Sequence, residues 1–136
     1  MLFRSDNPAE IQAELTALSA KDDVGMDAIM FLVEPLTTLP DAFTAVAGFA
    51  YTHRLPFGGV YNSIDGYSSI FGVNVDLAES GRLAAPLADK VLKGTQAGTI
   101  PASTPENFIQ INFKLAQELG LTVPEGLLKQ ANEIIR

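Results

Sequence analysis

ADKVLKGTQAGTIPASTPENFIQINFKLAQELGLTVPEGLLKQANEII, Ala88 to Ile135, decides how the chain is read. It opens on the end of a helix at Lys93, with Gly94 at the position after a helix end where a left-handed conformation is common. Thr95 to Glu106 carries Pro101 and Pro105 and reads as a loop. Phe108 to Ile111 is a short apolar strand. Asn112 can cap a helix running to Gly120, because its side-chain oxygen suits the orphan N–H groups of a first turn. Pro124 or Glu125 starts a last helix to Arg136, with Leu127, Leu128, Ala131, Ile134 and Ile135 as a packing face.

The same alternation continues upstream. Asn7, Pro8 and Glu10 form a helix start with a capping-box carboxylate, and Ile11, Leu15 and Leu18 follow on one face. Met26 to Val33 (MDAIMFLV) is a nearly unbroken apolar run, the pattern of a strand buried on both faces. Pro40 and Asp41 begin a helix whose stripe is Phe43, Val46, Ala47 and Ala50, closed by His53 and Arg54. Leu55 to Val60 is a second buried strand, Tyr61 to Ser69 a polar connection, and Ile70 to Val73 a third strand. Asp76 and Glu79 repeat the capping pattern before a helix to Lys93. Its predicted core face is Leu83, Leu87, Val91 and Leu92, and Pro86 is expected to kink it. Strands alternating with helices predict a single α/β domain over residues 1–136, with parallel pairing. In such sheets ligands bind beyond the carboxyl ends of the strands. Glu34 to Thr38 and Tyr61 to Gly66 occupy those places.

Composition removes whole classes of function. The net charge of −7 opposes a phosphate backbone, so no nucleic-acid partner is expected. It equally opposes an anionic membrane surface. With no cysteine there is no disulfide, thiolate metal site or thiol nucleophile. No apolar run approaches the ~20 residues of a spanning helix. Met1 to Asp6 lacks the features of a signal peptide, so the polypeptide as written is expected to stay in the cytoplasm. His53 is the single histidine and has no partners in the sequence for a metal or for nucleophile activation. A cation at a helix end accounts for it. Neither a nucleophile elbow nor a dinucleotide or phosphate loop occurs, so no catalytic residue, metal or cofactor is expected.

The C-terminal stretch resembles the end of the ABC transporter substrate-binding protein family. That end runs from an A-D-K-I-L-x-G helix end through an I-P or L-P loop and a strand closing on I-N. An L-x-x-A-x-x-L-G-L helix and x-P-x-x-L-L-x-x-A-x-x-I-I follow. The pieces ADKVLKG, IP, IN, LAQELGL and VPEGLLKQANEII stand here in that order. Upstream, Gly25 to Ile29, Ala50 to Pro56 and Phe71 to Asn74 are similar to the family's V-D-A-I strand start, helix-to-strand joint and Y-G-x-x segment. The resemblance implies a type I periplasmic-binding-protein fold, in which two α/β lobes close on a small ligand. This chain would then be a three-layer parallel-sheet lobe, apparently truncated, from the C-terminal part of such a protein. The implied activity is binding of a small solute, with amino acids among the candidates, and delivery to an ABC permease. The full-length parent would work in the periplasm or at the cell surface.

The resemblance also places two cleft loops. Many members have Asp-Asn-Thr where Glu34, Pro35, Leu36 and Thr37 stand here, which puts the first loop in doubt. Glu34, Thr37 and Thr38 are its ligand-binding candidates, against a plain helix-capping role for the threonines. In the second loop Tyr61 could stack on a ring, Asn62 could hydrogen-bond, and Asp65 could hold an ammonium. The alternative for these three is a solvated turn closed by Gly66. Two readings of the whole stay open beside each other: a solute binder, and a stand-alone half-domain that oligomerises, as a homodimer, and binds no solute alone. A small α/β enzyme is the distant third.

Overall fold

A computed structural model describes residues 7–32, 34 and 39–136. The chain divides into two compact units, residues 1–73 with 109–136, and residues 74–108.

In the first unit, α1 (Pro8–Ser19) starts as its sequence dictates. The Glu10 N–H donates to Asn7 Oδ1 at 3.0 Å, and Asn7 Nδ2 donates to Glu10 Oε1 at 2.9 Å. Ile11, Leu15 and Leu18 are buried against α2 (Pro40–Thr52), which buries Phe43, Val46, Ala47 and Ala50 along the expected stripe. α2 connects β1 (Ile29–Met30) to β2 (Phe57–Gly58), and these strands pair in parallel, Ile29 with Phe57 and Met30 with Gly58. A parallel pair needs a crossover of this length, and a helix supplies it with its own backbone satisfied. Phe31, Phe43 and Phe57 meet at the centre, with ring centroids 5.8–5.9 Å apart.

The run from Met26 to Val33 corrects one expectation. Only two of its residues pair as strand, and burial alternates: Phe31 is buried while Met30 and Leu32 are 69% and 55% exposed. Among the described residues β1 is hydrogen-bonded to β2 alone, so it stands at a sheet edge. Val33 lies outside the described residues.

Beyond β2, Gly59 bridges Gly72 in parallel, which leads to the sheet β5-β6-β7. These strands are β5 (Phe71–Val75), β6 (Asn107–Asn112) and β7 (Glu133–Ile135), and β6 and β7 are parallel. Glycines permit the junction. A Cβ on Gly72 would lie 1.8 Å from Tyr61 N, and Gly59, at φ +112°, would place one 2.2 Å from the Phe31 carbonyl oxygen. Between these strands the polar connection folds into a hairpin, β3 (Ser63–Ile64) with β4 (Tyr67–Ser68), antiparallel. Its two-residue turn is Asp65-Gly66, with φ +53° and +82°. Both central residues having positive φ is the type I′ turn that Asp-Gly favours.

α4 (Phe113–Glu118) is capped by Asn112, whose Oδ1 accepts from the Leu115 N–H at 3.0 Å. Leu115 and Ala116 pack on Ile70 in a second small core. The predicted C-terminal helix is half right. α5 covers Glu125–Gln130, and Ala131 then turns to extended backbone at ψ 132°. Ile134 and Ile135 are therefore strand residues beside Ile111 and Asn112, not members of a helical face, and Leu127 is exposed. Asn132 makes the switch: its N–H donates to the Ile109 carbonyl at 2.8 Å and its Oδ1 accepts from the Ile109 N–H at 2.7 Å.

The second unit holds α3 (Leu77–Leu92) and a single 3₁₀ turn at Ala97–Thr99. Asp76 caps α3, with the Glu79 N–H donating to its Oδ1 at 2.9 Å, and Gly94 takes φ +93° after its end. The expected core face is corrected here. No residue of α3 is buried, Leu83 and Leu87 are half-buried, and Val91 and Leu92 are exposed.

Candidate functional site

Strands β1 and β2 run the same way, so the segments following them emerge at one end of the sheet. Glu34 follows β1 by four residues and is exposed. Thr37 and Thr38 lie outside the described residues. Tyr61 and Asn62 follow β2 and are both half-buried, while Asp65 sits exposed at the hairpin turn. The sequence thus places Glu34, Tyr61 and Asn62 at the expected carboxyl ends. It puts Asp65 at the tip of the hairpin that grows from the same end.

The second loop is held by a group that the sequence did not announce. Ser69 is fully buried, and its Oγ donates to the Val60 carbonyl at 3.0 Å and accepts from the Asn62 N–H at 2.9 Å. The Ser69 N–H donates to the Asn62 carbonyl at 3.0 Å. One serine therefore clamps the backbone on both sides of Tyr61. Next to it, Asn112 Nδ2 donates to Ser68 Oγ at 2.8 Å, and the Ser68 N–H donates to Tyr51 Oη at 3.2 Å. Tyr51 and Tyr67 meet edge to face at 5.1 Å. These contacts anchor the hairpin to α2 and to the start of α4. A Ser-Ser pair before an apolar strand carries no signal of these contacts by itself, because its partners Tyr51 and Asn112 are distant in sequence.

With the backbone fixed, the outward polar groups of the loop stay available. Asn62 uses its Oδ1 on the Ser63 N–H at 3.0 Å. Among the described residues its Nδ2, the Tyr61 hydroxyl and the Asp65 carboxylate have no hydrogen-bond or ion-pair partner. A donor, a ring with a hydroxyl, and an anion on one preorganised loop can recognise a small zwitterion or a polar ring. Removing the clamp tests the arrangement. Ser69→Ala takes the hydroxyl partner from the half-buried Asn62 N–H and Val60 carbonyl, and the loss of two hydrogen bonds should lower stability by about 1–3 kcal/mol in urea denaturation. An unchanged midpoint would mean that Ser69 does not hold the loop.

Two other features do not build a site. A recess of about 260 Å³ between α1 and α2 is lined by Gln12, Thr16, Thr44, Gly48 and Thr52 among others. Its threonine hydroxyls donate to their own helix backbones, Thr16 to Gln12, Thr44 to Pro40 and Thr52 to Gly48, so it offers methyl groups and not ligand donors. His53 Nε2 lies 3.0 Å from Ser19 Oγ. This contact joins the carboxyl ends of α1 and α2, where carbonyl dipoles disfavour a developing oxyanion. It is a helix-end tie, in keeping with the sequence reading of His53 as a helix-closing residue. Among the described residues no group of three His, Asp or Glu side chains is placed to hold a metal.

Residues 7–135 match the sequence profile of a family described as ABC transporter substrate binding protein. The chain belongs to that family. Solved structures agree with the assignment. An ABC domain in complex with L-Trp from Streptococcus pneumoniae is 26% identical, with a TM-score of 0.70, over 98% of this chain and 43% of that one. A conserved domain protein from Vibrio cholerae is 22% identical with a TM-score of 0.67, covering 96% of this chain and 42% of its own. A ligand-free, open substrate binding protein with adhesive properties from Clostridium difficile shares the fold at 16% identity and a TM-score of 0.62. A search of curated proteins finds no match. The chain thus spans about two-fifths of the length of the structures that it resembles. Its fold is α/β of the periplasmic-binding-protein kind, and the role that the family carries is solute binding. Among the described residues no helix is long and apolar enough to cross a membrane.

Proposed function

We propose that the chain is one lobe of the extracytoplasmic receptor of an ABC importer, and that it takes a small solute, an amino acid by preference, without catalysis. The observation that carries this is the loop from Tyr61 to Asp65. A buried serine fixes its backbone, and its free ring, amide donor and carboxylate stand at the carboxyl end of a parallel sheet. Asp65 would take the ammonium of the solute, Tyr61 would stack on an aromatic or flat side chain, and Asn62 would donate to its carboxylate. Glu34, Thr37 and Thr38 would line the neighbouring loop. An L-Trp complex at 26% identity supports the solute class. A second lobe, of the kind that fills the rest of those longer chains, would close over these loops, and the closed receptor would dock on a permease.

Thermal unfolding in the presence of each proteinogenic amino acid tests the proposal. A ligand present at a hundred times its Kd adds about 2.7 kcal/mol and a clear rise in Tm. L-Tryptophan is the first to try. Tyr61→Ala with Asp65→Ala should abolish that rise, and the affinity should fall at least tenfold, since a charge-assisted bond to Asp65 and a stacked ring are both lost. If one solute stabilises the chain and the double variant keeps its affinity, the loop is not the binding surface. If no solute stabilises the chain, the reading of a half-domain without binding of its own takes over.

A further inference from the structure

The hairpin turn Asp65-Gly66 is the only Asp-Gly pair in the chain. Both residues are exposed, and nothing lies within 4 Å of where a Cβ on Gly66 would stand. An aspartate before a glycine sets an electrophile beside a nucleophile. The Gly66 backbone nitrogen can attack Asp65 Cγ and close a succinimide ring, and glycine leaves that nitrogen unscreened. Two things usually prevent this in a folded chain: a hydrogen bond that holds the peptide, or a backbone dihedral that turns the nitrogen away from the side chain. The first is missing here. Among the described residues neither the Gly66 N–H nor the Asp65 carbonyl has a hydrogen-bond partner. The second is one peptide flip away. Asp65 already holds φ +53°, and type I′ and II′ turns share a positive φ at this first central residue. They differ in the peptide between the two central residues. The flip takes Asp65 ψ to about −120°, which eclipses the Gly66 nitrogen with the Asp65 Cβ, as a flat five-membered ring requires. Gly66 accepts either sign of φ, so the flip meets no side chain.

We propose that Asp65-Gly66 is a site of non-enzymatic modification, at which aspartate isomerises through the succinimide to isoaspartate. The carboxyl reacts in its protonated form. The bond from Gly66 N to Asp65 Cγ forms, the Cγ–OH bond breaks, and the amide proton leaves with the hydroxyl as water. A water molecule then opens the ring. Attack at Cγ returns aspartate. Attack at the Asp65 backbone carbonyl carbon leaves the main chain running through Cβ and Cγ, with the former backbone carbonyl as the free carboxylate. The composition is unchanged, and no oxidant or cofactor takes part. The product has one more carbon in the main chain, so the two-residue turn that pairs Ile64 with Tyr67 and Ser63 with Ser68 no longer fits. Its carboxylate is also displaced. Loss of solute binding on isomerisation rests on the reading of Asp65 as the partner of the solute's ammonium.

The folded 136-residue chain is incubated in buffer, then methylated with an isoaspartate-specific methyltransferase and labelled S-adenosylmethionine. It is mapped with a protease that cuts before aspartate and not before isoaspartate. More label is expected at residue 65 than at all other aspartates together, with cutting there lost and mass unchanged. Asp65→Glu keeps the charge and the glycine but would need a larger ring, so it should carry no label while its circular dichroism stays the same. Gly66→Ala should slow labelling about tenfold, because a side chain screens the nitrogen and resists the positive φ. A chain that gains label at 65 only when unfolded in guanidinium overturns the proposal. So does label that persists in Asp65→Glu, or label at Asn62 with the mass gain of deamidation. Isomerised chain that keeps its solute affinity supports the modification and counts against Asp65 as the ammonium partner.

Discussion

Gly72→Ala is expected to keep the two halves of the sheet in the first unit from closing. The Gly59–Gly72 bridge is the link between β2 and β5, and the added methyl carbon would stand 1.8 Å from Tyr61 N and 2.5 Å from Tyr61 Cα. The obstacle is backbone, so no rotamer change relieves it. Either β5 withdraws, and Val73 N–H to Gly59 O at 3.0 Å and Gly59 N–H to Phe71 O at 3.1 Å both break, or the Tyr61 loop is pushed off its serine clamp. Overpacking of a core alone costs about 1–3 kcal/mol. Two lost sheet bonds, whose ends at Phe71 and Val73 are partly exposed, add about 0.5–1.5 kcal/mol each. The total approaches the low end of the 5–15 kcal/mol that holds a typical domain together, so the variant should be largely unfolded at 37 °C or insoluble on expression. Gly98→Ala is the control, since nothing lies within 4 Å of its Cβ position. A Gly72→Ala protein that melts within a few degrees of wild type would show that β2 and β5 are not this close.

The contrast between these glycines shows which parts of the structure the chain states locally. Helix starts were legible because a cap and its first turn are neighbours: Asn7 with Glu10, Asp76 with Glu79 and Asn112 with Leu115 all make the bond their spacing implies. The α1 and α2 stripes were legible for the same reason, since period and burial coincide on a helix that lies on a core. Partners that meet only through the fold were not legible. Ser63-Ile64 and Tyr67-Ser68 are too short and too polar to read as strands, yet the Asp65-Gly66 turn and the Tyr51 anchor make them a hairpin. Leu127, Leu128, Ala131, Ile134 and Ile135 fit a helical period equally well as a turn followed by a strand. The contact of Asn132 with Ile109 decides between the two. In α3 the amphipathic pattern did not translate into burial, since none of its residues is buried. Of the candidate site, Tyr61, Asn62 and Asp65 were named from their place after a strand and from the family resemblance. The buried Ser69 that gives them a fixed backbone was not, because a serine before an apolar strand has no distinguishing spacing.

Phe43→Ala should be the most costly single side-chain truncation in the chain. Phe43 is 1% exposed and is the largest of the fully buried side chains. Its ring stacks on Phe31 at 5.9 Å and tilts on Phe57 at 5.8 Å. Phe31 directly follows β1 and Phe57 begins β2, so one helix side chain positions both strands and the loops that leave them. Removing a buried phenylalanine costs about 3–5 kcal/mol, the upper part of that range applying where neighbours cannot collapse into the gap. Here they cannot collapse freely. Phe31 N–H donates to Gly58 O at 2.7 Å, and Phe57 O accepts from Ile70 N–H at 2.8 Å, which ties both backbones. With a urea m-value of about 2 kcal/mol/M, the midpoint should fall by roughly 2 M. Phe43→Leu, which keeps most of the volume, should lose roughly 1.5 kcal/mol or less. The functional consequence follows from the same geometry. Glu34 and Tyr61 hang from β1 and β2, so a Phe43→Ala protein studied below its midpoint should bind solute more weakly although residue 43 touches none. Equal affinity in the two variants at low temperature would separate the core from the loops; an unshifted midpoint would mean that the three phenylalanines do not form the centre of this core.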